Sequence, residues 1–208
     1  MALKPQDVCI LLKIVALERA PWSYSQLAYQ LGMSASEVHA GVKRAADASL
    51  LRLEDAWGTP DPEALEEFLI HGAKYVFAPQ RGPLVRGIPT CYAAPPLNRV
   101  VEQLAEPPPV WPDDAGDVRG YEFAPLYKSV PFAVRRDAKL YELLALVDTI
   151  RSRNAHGYQN ALHELKLRLG TASRDADLIN LARPGNSAKS AARPASAKAR
   201  RGNNGQEA

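Results

Sequence analysis

The sequence has no apolar run of the ~20 residues that a helix needs to cross a bilayer. Its first apolar stretch, within MALKPQDVCILLKIVALER, is interrupted by Lys13 and is followed by no small-residue cleavage site. We therefore interpret this stretch as an amphipathic helix and not as a signal peptide. These features predict a cytoplasmic chain with no membrane partner.

The sequence also lacks the short motifs of common enzyme classes. It contains no G-x-S-x-G, no phosphate-binding glycine loop and no dinucleotide fingerprint. His163-Glu164 begins like the helix motif of zinc proteases, but Leu167 stands where the second histidine would be. Cys9 and Cys91 are the two cysteines, too few for a zinc site. We expect no catalytic residues, no metal and no cofactor.

Charge is distributed unevenly along the chain. The net charge is +3, yet residues 1–78 carry 7 Lys and Arg against 10 Asp and Glu. The basic excess lies after residue 134, where 14 Lys and Arg stand against 7 Asp and Glu. Any anionic partner is therefore expected to meet positive charge mainly from the second half of the chain.

Three helices are predicted before residue 50. Apolar residues recur at helical spacing in 4–19, and Pro21 ends that element. Ser23-x-x-Gln26 and Ser34-x-x-Glu37 each have the form of a capping box at the start of a helix. Gly32 between them suits the positive φ that ends a helix, so the pair forms a tight helical corner.

A short strand, LLRLE, follows the third helix, and a fourth helix is predicted over 61–75. Only Asp55 to Pro60 separates the two, which leaves little room for a full second strand. Helix, helix, turn, helix and strand is the order of a winged helix-turn-helix domain. The wing of this domain is expected to be small, with Arg52 as its one basic residue.

The segment LAYQLGMSASEVHAGVKRA resembles the DNA-binding segment of bacterial winged-helix regulators such as the MarR-type family, over residues 4–56. Ala28, Gly32 and Val38 stand at the positions where such sequences have a small residue, a turn glycine and a buried aliphatic. The resemblance implies a sequence-specific transcriptional regulator, a repressor, that binds double-stranded DNA. Helix Ser34 to Ser49 would then read the major groove.

With Val38 and Val42 turned inward, small and basic side chains line the outward face of this helix. Lys43 and Arg44 are placed to reach phosphates or guanine acceptors, and the amides after Ser34 to meet a phosphate. Because the N-terminal part is acidic, attraction of DNA phosphates would also require cations from elsewhere in the chain. The predicted DNA-binding residues are Ser23, Tyr24, Ser34, Ser36, His39, Lys43, Arg44 and Arg52, with Arg81 and Arg86 as candidate phosphate contacts.

The fold class predicted for the whole chain is mainly α, in four parts. Residues 1–76 form the winged helix-turn-helix domain, and 77–134 form a proline-rich extended arm with short strands at most, in which EPPPVWPDDAG is a stiff surface linker. Residues 135–183 form a helical region that contains a hairpin, and 184–208 form a disordered basic tail suited to phosphate contact.

Two alternatives concern partners. Helix-turn-helix regulators often bind as homodimers, and the stripe Leu140 to Ile150 packs either on the chain's own core or on a second subunit. The second alternative is a protein-binding adaptor or antitoxin-like module. In it the helix-turn-helix is a scaffold, and the C-terminal half holds a protein partner.

Overall fold

The computed structural model describes residues 2–53, 57–152 and 156–172, and about half of them are helical. The fold is mainly α with two small sheets, as the sequence predicts at this coarse level. The predictions for the residues beyond 172, including the basic tail, lie outside the described residues.

Helix α1, Pro5–Ala16, runs through the centre of the molecule. The sequence predicts one buried stripe, but every residue from Asp7 to Ile14 is buried. The reason is that α1 packs against α3 (Ala35–Asp47) on one side and against α7 (Ala138–Arg151) on another. A single hydrophobic core therefore extends from the N-terminal helices to the C-terminal ones.

Helix α2, Tyr24–Leu31, joins α3 through the tight corner that the sequence predicts. The Ser23 side chain accepts a hydrogen bond from the Gln26 amide at 3.2 Å, which confirms Ser23 as the N-cap of α2. Ser34 and Glu37 form the complete reciprocal capping box of α3. Gly32 ends α2 with φ of +63°, the left-handed conformation expected of it.

Gly32 also faces a side chain from far along the chain. A Cβ placed on Gly32 would lie 2.9 Å from Cδ1 of Phe132. We therefore expect Gly32→Ala to lower the free energy of unfolding by more than the ~1–2 kcal/mol of left-handed strain alone. Gly170→Ala is the matched control, because Gly170 has φ of +76° and nothing within 4 Å of its Cβ position. If urea unfolding showed equal losses of free energy of unfolding for the two variants, Phe132 would not restrict the space at Gly32.

A short antiparallel hairpin follows α3. Strand β1, Leu51–Leu53, pairs with β2, Gly58–Pro60, and β2 has only three residues, in line with the expectation of little room for a full second strand. Gly58 leaves room beside it for the buried Leu51 side chain. A Cβ at Gly58 would lie 2.4 Å from Cδ2 of Leu51. The Trp22 indole donates to the Gly58 carbonyl at 3.1 Å and ties the hairpin to the start of α2.

The predicted fourth helix is one continuous helical segment with a wider turn in its middle. It consists of α4 (Pro62–Glu67), a π-helical turn (Phe68–Gly72) and α5 (Ala73–Val76). Asp61 caps it by accepting from the Glu63 and Ala64 amides, both at 3.1 Å. The extra residue in the π turn keeps Leu69 and Ile70 both buried.

The interpretation of the proline-rich middle as an extended arm is wrong. Strands β3 (Arg81–Pro89), β4 (Pro109–Pro112) and β5 (Val118–Phe123) form a small closed sheet. Two short 3-10 turns, Cys91–Ala93 and Leu97–Arg99, lie between β3 and β4. Prolines permit this sheet because they stand at strand ends or, at Pro83, beside a register shift. Val110 and Trp111, within the expected surface linker, are 0% and 1% exposed.

The C-terminal helices pack on the chain's own core. The short helix α6, Val130–Val134, precedes α7, and α8, Tyr158–Leu169, packs back on α7. This arrangement confirms the predicted hairpin. The stripe on α7 is buried against α1 and α8, so the described chain leaves none of it for a second subunit. The residues of the stripe are Leu140, Leu143, Leu144, Val147 and Ile150.

Candidate nucleic-acid interface on helix α3

The outward face of α3 is accessible over its whole length. Ser36, His39 and Lys43 are exposed, and Ala40 between them is half-buried, whereas Val38 and Val42 are buried. The inward and outward positions that the sequence predicts for this helix are confirmed for these residues. Small side chains near the start of the helix and one cation near its end make a narrow face of the kind that fits a DNA groove.

Arg44 does not belong to this face, which corrects its assignment as a DNA contact. Its guanidinium is buried and binds Asp7 of α1 through two bonds, Nε to Oδ2 at 2.8 Å and Nη2 to Oδ1 at 2.6 Å. These bonds raise the pKa of Arg44 further. Gly41 makes room for the pair, since a Cβ there would lie 2.9 Å from Oδ1 of Asp7. Arg44 is therefore a buried structural cation.

The N-terminal end of α3 already holds a carboxylate. The Ser34 amide donates to Oε2 of Glu37 at 2.8 Å, and the Tyr127 hydroxyl donates to Oε1 at 2.6 Å. The Tyr127 bond, aided by those of Ser34, lowers the pKa of Glu37 to about 2. The Ser34 hydroxyl also accepts from the Glu37 amide. Two backbone amides at the predicted phosphate position, those of Ser34 and Glu37, therefore already donate hydrogen bonds within the chain.

The other predicted residues of the N-terminal part lie around α3. Ser23 is exposed at the start of α2, and Tyr24 is half-buried, with its ring 5.1 Å from the His39 ring. Arg52 is exposed on β1 and makes a loose contact of 3.5 Å with Asp61. Their positions are compatible with contacts to one ligand that covers α3, and their roles stay predictions.

Two cations beside the corner were not foreseen from the sequence. Lys128 lies with its Nζ 5.9 Å from the ring of Tyr127, the residue that binds Glu37. Arg136 stacks on Phe132 at 3.9 Å, and Phe132 packs on Gly32. Both cations are exposed. The segment from Tyr127 to Arg136 thus brings positive charge to an N-terminal part that is itself acidic.

The candidate phosphate contacts in the middle of the chain lie on β3. Arg81 and Arg86 are both exposed. Arg81 borders a cavity of about 110 Å³, while Arg86 lies directly opposite Arg119 of β5. Arg119 is a further cation that the sequence did not single out, because only the strand register places the two arginines together.

Comparison with protein-family models, curated proteins and solved structures finds no match for this chain. The resemblance of the α2–α3 segment to MarR-type regulators therefore stays a prediction from its residues. No helix within the described ranges is long and apolar enough to cross a bilayer. The same ranges contain no group of three or more His, Cys, Asp or Glu arranged to hold a metal ion.

The two cysteines have no reactive character. Both thiols are free and buried. Burial raises the pKa of the Cys9 thiol to about 12 and that of Cys91 well above its usual value. A thiol in such surroundings stays protonated at neutral pH and is a poor nucleophile or metal ligand.

Proposed function

We propose that the chain is a sequence-specific DNA-binding transcriptional regulator of the cytoplasm that acts as a repressor. Helices α1 to α3 and the β1–β2 hairpin then serve as a winged helix-turn-helix domain, and α3 enters the major groove of double-stranded DNA. The observation that carries the proposal is the uncovered face of Ser36, His39, Ala40 and Lys43, while the opposite side of α3 packs on α1.

Charge supports the same proposal. Lys43 is the one exposed cation within α3. A single cation is little positive charge for binding DNA, because phosphate contacts dominate the affinity. Lys128 and Arg136 add positive charge beside the α2–α3 corner, near which a duplex bound to α3 would run. Arg52 adds a cation on the hairpin. The acidic balance of residues 1–78 is thus offset locally by a distant part of the chain.

Lys43→Gln tests the contact directly. We expect it to weaken binding to the preferred duplex by about 1–3 kcal/mol, roughly 5- to 150-fold, because a base contact on α3 is lost. Stability should be unchanged, since the side chain is exposed. Lys139→Gln is the matched control, as it removes an exposed lysine whose ion pair is with the exposed Glu18. Binding curves of the two variants that superimpose would remove Lys43 from the interface.

Arg44 should not be changed in this experiment. Replacing it would leave the Asp7 carboxylate buried without its partner, and loss of binding would then report unfolding.

A protein-binding module is the second candidate, favoured by exposed apolar side chains outside the α3 face. Val100 and Leu104 are 60% and 43% exposed in the segment that follows the 3-10 turn at Leu97–Arg99. Capture of one protein partner that survives nuclease treatment and is lost in Val100→Ser/Leu104→Ser would favour this candidate. Capture unchanged by that double variant would count against it.

A further inference from the structure

The outer face of the β3–β5 ribbon carries two directly opposed pairs of side chains. Leu84 lies opposite Tyr121, and Arg86 lies opposite Arg119. Residues two apart on a strand share a face, and opposed residues in an antiparallel pair point to the same side. All four side chains are exposed. The ribbon therefore presents two guanidinium groups side by side, next to an exposed aromatic ring.

Neither arginine of this ribbon has a counter-ion among the described residues. Asp113 is joined to Arg86 through the backbone, because its amide donates to the Arg86 carbonyl at 3.1 Å. Its carboxylate binds Arg135 instead, at 3.0 and 3.1 Å. Like charges directly opposite each other destabilise a strand pair. An anion between the two guanidinium groups would remove that cost.

The backbone under the two arginines is held firmly. Gly87 and Gly120 flank them along the two strands, and both glycines touch the neighbouring segment. A Cβ at Gly120 would lie 2.0 Å from the Pro108 carbonyl oxygen, and one at Gly87 would lie 2.1 Å from that of Trp111. This close packing fixes the backbone at Arg86 and Arg119 before any ligand binds, so only the two side chains have to be ordered on binding.

Helix α6 connects this face with the α2–α3 corner. Phe132 of α6 packs on Gly32, and Arg135, just after α6, binds Asp113 beside Arg86. Arg135 also borders a cleft with Gly87 and Val118, the next pair along the ribbon. A helix of five residues is about 7.5 Å long. Its contact with the corner and its contact beside the ribbon are therefore separated along α6 by much less than the ~34 Å of one duplex turn.

We propose that Arg86 and Arg119 form a second phosphate-binding surface, which grips the backbone of duplex DNA beside the segment that α3 contacts. The inference rests on the proposed function. Arginine forks suit phosphate oxygens, and the Tyr121 hydroxyl adds a donor of the kind that often contacts the DNA backbone. Contacts of this kind add affinity and orientation without reading sequence.

The test is the salt dependence of binding to a 40-base-pair duplex of random sequence. Each phosphate contact contributes about 0.9 to the slope of log K against log salt concentration. Arg86→Gln/Arg119→Gln in the full chain should therefore lower the magnitude of that slope by about 2. Arg19→Gln/Arg99→Gln removes the same charge from two exposed arginines outside the ribbon and should leave the slope close to that of the wild type.

The outcomes separate this inference from the proposed function. Equal slopes for the two double variants would overturn the ribbon surface, whatever Lys43→Gln does. A slope lowered only by the ribbon variant, with no sequence preference in the wild type, would support the ribbon and contradict base reading by α3. Absence of binding to any duplex would overturn both, and so would capture of an acidic protein, instead of DNA, through Arg86 and Arg119.

Discussion

Replacing Asp7 with alanine is expected to destabilise the folded chain by about 3–5 kcal/mol. Asp7 is 0% exposed, and its two carboxylate oxygens both bind the buried Arg44 guanidinium. The alanine variant would leave a cation inside the core without a counter-ion. The large destabilisation comes from that desolvated, unpaired charge and not from the net contribution of the ion pair to stability. Urea unfolding measures it.

Two controls separate these contributions. Asp7→Leu/Arg44→Met removes both charges and should recover most of the loss, because a buried pair replaced by apolar groups is often neutral. Arg52→Ala breaks an exposed pair with Asp61 and should cost less than about 1 kcal/mol. A cost below 1 kcal/mol for Asp7→Ala as well would mean that Arg44 turns to solvent and that α3 is not anchored on α1 in this way.

Asp148→Ala is expected to cost a similar amount, about 3–5 kcal/mol, at a second buried centre. Asp148 is 1% exposed and accepts from Thr90 Oγ1 at 2.9 Å, Trp111 Nε1 at 2.6 Å and Arg151 Nε at 2.7 Å. Alanine would orphan all three donors, one of them charged. The carboxylate connects α7 with the proline-rich sheet, so both should loosen in the variant.

Thr90→Val is the comparison for this second centre. It removes one neutral donor and leaves the bonds to Trp111 and Arg151 in place, so it should cost about 1 kcal/mol. Near-UV circular dichroism, to which the buried Trp111 contributes together with the other aromatic side chains, is measured alongside urea unfolding. An Asp148→Ala variant no less stable than Thr90→Val would contradict the role of the carboxylate as the link between sheet and helix.

Local features of the fold were predictable from the sequence. Ser23, Ser34 and Gly32 act through hydrogen bonds and backbone angles within a few residues, so their spacing alone predicts the α2–α3 corner. The apolar stripe of α7 likewise follows from helical periodicity. These predictions succeeded because short-range chemistry decides them.

The failures all involve partners far apart along the chain. Arg44 turns inward because it binds Asp7. Asp7 lies 37 positions earlier in the chain, so no local pattern in the sequence indicates the pair. Tyr127 reaches Glu37 across 90 positions. The sequence allows short strands in the middle segment, but it does not predict their closure into one packed sheet, because β3 pairs with β5 far along the chain.

The candidate site likewise contains some residues that were predictable from the sequence and others that were not. The outward face of Ser36, His39 and Lys43 follows from helical spacing once Val38 and Val42 are turned inward. The neighbouring cations do not, because Lys128 and Arg136 reach the corner only through tertiary packing. Arg119 joins Arg86 only through the strand register.

Reading of base sequence by α3 is tested most directly by one titration. The full chain is titrated on the DNA upstream of its own coding sequence and on a scrambled duplex, each at two salt concentrations. We predict a preference for the upstream DNA that persists at the higher salt, because base contacts depend on salt far less than phosphate contacts do. Equal and steeply salt-sensitive binding to both duplexes would contradict base reading by α3 and leave only non-specific phosphate attraction.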